Sequence, residues 1–112
     1  MKTWTLRFRA IDKDNFLNIK GGLKSVETRA ATAKYRAIQK GDVLEIVCGK
    51  QRIRKTVKRV RMFSSIGAMA KAVPFKKIMP GASSLIEIRK IYYGYPGYKE
   101  KLKKHGVIAF YI

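Results

Sequence analysis

The chain has 112 residues, enough for one domain around one core, and its apolar content of 46% is that of an ordinary folded protein. Its charge is not ordinary: 26 Lys and Arg against 7 Asp and Glu give a formal net charge of +19, a field that draws polyanions, nucleic acid first among them. No apolar run reaches the roughly 18 residues of a membrane-spanning helix and the N-terminus lacks a signal-peptide core, while a single Cys (Cys48) and a single His (His105) exclude an internal disulfide and fall short of the ligand set of a zinc site. The expectation is a soluble, cytoplasmic, monomeric protein with no membrane partner, no metal and no cofactor.

The first element is "TWTLRFRA", where Trp4, Leu6 and Phe8 alternate with Thr5, Arg7 and Arg9 at the period of a half-buried strand. "IDKDNFLNIKGG" reads as a short helix over 12–20, capped by Asp12 or Asp14 and ended in a left-handed conformation by Gly21-Gly22. "KSVETRAA" is a second strand, "TAKYRAI" a short helical or irregular turn, and "QKGD" a tight turn into the strand "VLEIVCG", in which Cys48 reads as a buried thiol. Gly49-Lys50 is a hairpin tip into "QRIRKTVKRVRMF". There Ile53 and Val57 share one parity and Val60 and Met62 the other, which a β-bulge near Lys58 reconciles. "SSIGAMAKAV" is a Ser-capped helix interrupted by Pro74, "FKKIMPG" a helical turn, and Ser83 or Ser84 caps a helix in "SLIEIRKIYY". A basic loop, "GYPGYKEKLKKHG", precedes the closing strand "VIAFYI". This order predicts an α+β fold in one domain over 1–112: a small barrel of five or six mostly antiparallel strands, with helices from 12–20 and 64–94 covering one side.

Four of these stretches resemble, in order, the ASCH domain family, a relative of the PUA domain. "GGLKSVETR" is similar to its G-x-K-x-x-E-x-R signature, "IQKGDVLEI" to its K-G-D turn and strand, and "HGVIAFYI" to its terminal strand, with further agreement through "MFSSIGAMAKAVPFKKIMPGASSLIEIRKIYYGYPGY". The resemblance implies a PUA-like β-barrel with a cleft beside it, lined by the Lys24, Glu27 and Arg29 region, and a ligand that contains a nucleotide or modified nucleobase. Some short members of the family are amidohydrolases that remove acyl groups from the exocyclic amine of N4-acetylcytidine. Others are thought to bind RNA, and a ribonuclease activity has been claimed for some. The amidohydrolases use a Lys, a Thr three residues later and a Glu from a later loop. Lys24 matches the Lys, Glu27 stands where the Thr would be, and the later loop offers Met79, Pro80 and Gly81 instead of a Glu. A Lys-carboxylate pair survives this departure.

Elimination among the seven carboxylates points the same way. Asp42 belongs to a turn, Asp12 and Asp14 to a helix start, Glu45 to the outer face of a strand, and Glu87 and Glu100 to basic runs. Glu27 alone lies beside a Gly-rich bend and a lysine. Residues 24 and 27 have opposite strand parity, so they meet only if Lys24 still belongs to the bend. In the catalytic reading Glu27 takes a proton from water, Lys24 as an ammonium stabilises the oxyanion, Arg29 fixes Glu27, and Ser25 is an extra donor. The alternative is a structural Glu27–Arg29 bridge beside a solvated Lys24. For nucleic acid, "KQRIRKTVKRVR" carries seven cations in twelve residues, and Arg52, Arg54, Lys55 and Lys58 are the candidate phosphate track. Tyr92, Tyr93 and Tyr95, with Tyr98, are a candidate stacking platform for bases. Solvated edge cations and loop-packing tyrosines are the alternatives. The function expected is an amidohydrolase acting on a non-peptide C–N bond of an N4-acylated cytosine nucleoside or RNA. A non-catalytic RNA-binding module is the second reading.

Overall fold

The computed structural model describes residues 1–112 as an α+β domain with six strands and six helices. Strands β1 (Thr3–Phe8), β3 (Val43–Cys48) and β4 (Gln51–Thr56) form one sheet in the order β1-β3-β4. Strands β2 (Val26–Ala30), β5 (Arg59–Phe63) and β6 (Val107–Tyr111) form the other in the order β2-β6-β5. The β1–β3 pair is parallel and the other three are antiparallel. The expected strand count and mostly antiparallel pairing are both present.

The expected single core is divided by the second sheet. Ile108 and Phe110 of β6 join Leu6, Leu44 and Ile46 between the two sheets, closed by Phe16 and Ile19 of helix α1 (Lys13–Lys20). Val107 and Ala109 face the other way, onto a layer made by helices α3 (Ile66–Ala72), α4 (Phe75–Ile78), α5 (Leu85–Gly94) and α6 (Tyr98–His105). The helices therefore cover two places instead of one side: α1 plugs the space between the sheets and α3–α6 cover the outer face of β2-β6-β5. Ser65 and Ser84 cap α3 and α5 by accepting from the Ala68 and Glu87 amides at 3.1 and 3.2 Å. Asp12 is at the start of α1, yet its carboxylate takes Arg9 Nε at 2.9 Å and caps nothing.

Two further expectations need correction. The parity change near Lys58 is a change of sheet, not a bulge. Val57 N–H still donates to Asp42 O at 2.8 Å on the β3 side, and the next amide, Lys58 N–H, donates to Tyr111 O at 2.7 Å on the β6 side. Residues before and after this point are therefore counted against different sheets, and Met62 is exposed. The basic loop is helical over Tyr98–His105, because Tyr98 and Leu102, one turn apart, both pack on the helical core. Gly97 at φ 70° starts that helix, and the surrounding glycines and lysines hide its two-residue apolar face from a periodicity reading.

The short helix α2 (Ala33–Arg36) and the turn Gln39–Asp42 return the chain to β3. In that turn the Asp42 carboxylate accepts from Lys2 N, Gln39 N and Trp4 Nε1 at 3.0, 3.0 and 2.9 Å, tying the start of β1 to the start of β3. These donors, the Gln39 amide first, hold its pKa at about 2, against 3.8 ordinarily. The depressed value means that its stabilising contribution is complete above pH 3.8 and disappears as pH falls toward 2. Thermal melts across that window should show the wild-type midpoint dropping with pH more steeply than that of Asp42→Asn, which should already be less stable at pH 7.

Gly106 joins α6 to β6 at φ 77°, and a Cβ there would lie 2.4 Å from Phe63 O. Gly106→Ala combines left-handed strain with a backbone clash and should cost about 1–3 kcal/mol or more. A shift in the urea midpoint at unchanged slope is the measurement.

Candidate functional site

Glu27 and Arg29 project from the same side of β2, paired in register with Phe110 and Ile108. Lys24 precedes the strand, where Gly22 at φ 83° turns the chain out of α1. The bend cancels the parity mismatch, and Lys24 Nζ lies 3.6 Å from Glu27 Oε1. Both residues are buried, with 3% and 5% of their surfaces exposed. Lys24 Nζ also donates to Ile78 O, so the last residue of α4 contributes a carbonyl to the lysine.

Every oxygen of Glu27 is engaged. Oε1 accepts from Thr28 N at 2.7 Å, and Oε2 lies 3.5 Å from Arg29 Nη2. The Arg29 guanidinium is itself 5.1 Å from the Phe8 ring and 5.8 Å from the Tyr35 ring, which supports its flat faces. Burial works against its charge, but Glu27, Tyr35 and Tyr98 outweigh that and hold its pKa above the ordinary value. Burial pushes Lys24 below the usual lysine value; Glu27 pulls upward, Arg29 adds to the lowering, and the net shift is down.

These residues form the floor of a cleft of about 210 Å³. The end of β1 supplies one wall with Arg7, Phe8 and Arg9, and the α1 region adds Asp12 and Asn15. The opposite wall is Tyr92, Tyr95, Pro96 and Tyr98 from the α5–α6 corner, with Met79 beside Lys24. Tyr92 and Tyr98 lie 6.5 Å apart with their planes within 5°, and Tyr95 stands edge-on to both. The Tyr92 hydroxyl bonds Thr28 Oγ1, and the Tyr98 hydroxyl accepts from Ala30 N at 3.4 Å. Glu27 and Tyr98 thus cover the Thr28 and Ala30 amides of β2. Burial, followed by Asp12 and Glu27, pushes Tyr95 up to about 12, so it remains a neutral phenol at the cleft surface.

The candidate residues fall into separate groups. Lys24, Glu27 and Arg29 come together with Tyr92 and Tyr95, although Tyr92 is buried and presents little surface to the cleft. Ser25 is outside the cleft, its backbone bonded to Lys77 and Ile112. Tyr93 is also outside, 47% exposed, with the Lys99 ammonium 5.7 Å from its ring. Arg52, Arg54, Lys55 and Lys58 lie on or beside β4, away from the cleft, and Glu45 engages Arg52 and Arg54 at 2.6 and 3.3 Å. Sequence reasoning did not single out Phe8, Arg7, Arg9 or Thr28 as site residues. The strand alternation assigned the two arginines to solvent, and only the proximity of the β1 end to β2 brings them to the cleft. No three His, Cys, Asp or Glu side chains converge in the fold, and no helix is long and apolar enough to cross a membrane.

Fold and site together define a small α+β domain with a basic, tyrosine-walled cleft built on a buried Lys-Glu pair. No family model and no curated protein matches the chain. Among solved structures it is similar to the hypothetical protein PH0355, with TM-score 0.85 and 30% identity over 99% of this chain and 96% of that one. It is also similar to PF0455 from Pyrococcus furiosus, with TM-score 0.73 and 30% identity over 97% and 94% of the two chains. The chain belongs to the family of small archaeal proteins that these two represent.

The Thr28–Tyr92 hydroxyl pair is buried, so removing one partner should cost more than removing both. Tyr92→Phe is expected to lose about 1–2 kcal/mol in urea unfolding, and Thr28→Val/Tyr92→Phe less than the sum of the single losses.

Proposed function

We propose that this protein is an ASCH-type amidohydrolase that removes the acyl group from the exocyclic amine of an N4-acylated cytosine nucleoside. The observation that carries this reading is the Lys24–Glu27 pair, almost wholly buried yet lining an open cleft. Buried ions are costly, and apolar residues of similar size serve stability as well or better. A lysine shifted by desolvation beside a carboxylate in a cleft is a feature that active sites share. The tyrosine wall supports a planar, aromatic ligand.

In this mechanism the Glu27 carboxylate takes a proton from water as the water oxygen attacks the acyl carbon. The Lys24 ammonium stabilises the oxyanion. When the C–N bond breaks, Lys24 passes its proton to the departing cytosine nitrogen, a transfer made easier by its lowered pKa. The proton on Glu27 then returns to Lys24 across their 3.6 Å separation, and the products are the carboxylic acid and the free amine. Arg29 holds Glu27 and takes no proton. The net charge of +19 supports a second reading, a non-catalytic RNA-binding module.

Incubation with N4-acetylcytidine should release cytidine, followed chromatographically. Lys24→Ala and Glu27→Gln should each lower turnover by roughly 100- to 1,000-fold with RNA affinity retained. The rate should also fall as pH rises through the Lys24 pKa, at a pH below the ordinary lysine value of 10.5. Wild-type rates in both variants would make the pair structural. An inert wild type on every acylated cytidine would leave the binding module.

A further inference from the structure

Arg7 and Arg9 stand two residues apart at the end of β1 and both line the cleft, above the Lys24–Glu27–Arg29 floor. Arg9 is held from two sides: its Nε bonds Asp12 Oδ2 at 2.9 Å and its guanidinium lies 5.3 Å from the Tyr95 ring. That leaves its two terminal nitrogens for a ligand. Arg7 is exposed and has no carboxylate within ion-pair distance. The lining holds four cations, Arg7, Arg9, Lys24 and Arg29, against two carboxylates, Asp12 and Glu27. Lys24 and Arg29 are committed to Glu27 and Arg9 to Asp12. Two positive charges are therefore in surplus, one on the Lys24–Glu27–Arg29 floor and one on Arg7 at the rim, and a neutral cytosine nucleoside makes no use of the second.

We propose that Arg7 and Arg9 form a phosphate-binding rim, so that the ligand of this cleft is a nucleotide rather than a free nucleoside. The proposal rests on the nucleobase reading above and specifies its substrate class. With the base against the tyrosine wall, the ribose leads outward past Tyr95 to the guanidinium of Arg9, and Arg7 neutralises the remaining phosphate charge. Guanidinium–phosphate contacts are directional and charge-assisted, and fork geometry suits arginine better than lysine. The phosphate belongs either to a mononucleotide or to a polynucleotide strand.

Titration calorimetry of cytidine, CMP and the trinucleotide CpCpC, compared at matched ionic strength and repeated over a salt series, tests this. CMP should bind about tenfold to a hundredfold more tightly than cytidine. Arg7→Gln, which breaks no ion pair of the protein, should cut that ratio by about tenfold, and Arg7→Lys should retain more of it. Arg9→Gln should lower the ratio too. A wild-type ratio near one, or a ratio that survives both Gln variants, overturns the rim. Hydrolysis of N4-acetylcytidine with a ratio near one removes the rim and leaves the hydrolase. A high, arginine-dependent ratio without hydrolysis removes the hydrolase and leaves the rim. Where the rim holds, CpCpC binding more tightly than CMP, with a steeper salt slope, assigns the phosphate to a polynucleotide. Equal binding assigns it to a mononucleotide.

Discussion

Strand β6 is the member on which both halves of the molecule depend. It pairs with β2 on one edge and β5 on the other, and it is buried on both faces. Its successive side chains go alternately to the inter-sheet core and to the helical layer, so the near-continuous apolar run "VIAF" reflects two interiors instead of one. Truncating a fully buried aromatic such as Phe110 removes roughly 3–5 kcal/mol in comparable cores. The same pairing fixes the site. With Glu27 in register with Phe110 and Arg29 with Ile108, both charged residues must leave the strand on the inter-sheet side, at the open edge beside β1.

That constraint gives the charged floor its character. A slip of one residue would exchange Glu27 and Arg29 for Val26, Thr28 and Ala30, which face the helical layer. Lys24 is exempt from the alternation because it belongs to the bend. The helical layer reaches it through Ile78 O, and the cleft through Glu27. The lysine is thus held by one group from each side of the β2 strand. Desolvation outweighs the neighbouring carboxylate in setting its proton affinity. A site with this balance favours a lysine that gives up its proton more readily than one in water.

Much of this was legible in the sequence where one residue pattern serves one interior. The alternation in β1, the Gly49-Lys50 hairpin, the Ser65 and Ser84 caps and the closing strand all follow local rules. The pairing of Lys24 with Glu27 was legible because Gly21-Gly22 marks a bend. Patterns serving two interiors, or none locally, were not. The sheet change at Val57–Lys58 looks like a parity error until both sheets are known. Helix α6 shows only Tyr98 and Leu102 to the core amid four lysines, one glutamate and one histidine that follow no apolar period. Arg7 and Arg9 read as solvent-facing by alternation, which is correct for the strand and silent about the cleft it borders.

The scarcity of acids gives the site its sharpest physical contrast. Asp42 is buried, and three N–H donors from the turn and the start of β1 explain why. Glu45 clamps Arg52 and Arg54 on the outer face of a hairpin, Glu87 accepts from Ser83 at the start of α5, and Asp12 orients Arg9. Asp14 and Glu100 are exposed. Each of these positions follows from a turn, a cap, a surface pair or plain solvation. Glu27 differs. Its Thr28 amide contact could be met by water at an open strand edge, and Arg29 would be less costly in solvent than beside a buried acid. Folding alone gives no reason to gather a lysine, a glutamate and an arginine under three tyrosines; the ligand proposed above would supply one, by replacing their lost hydration.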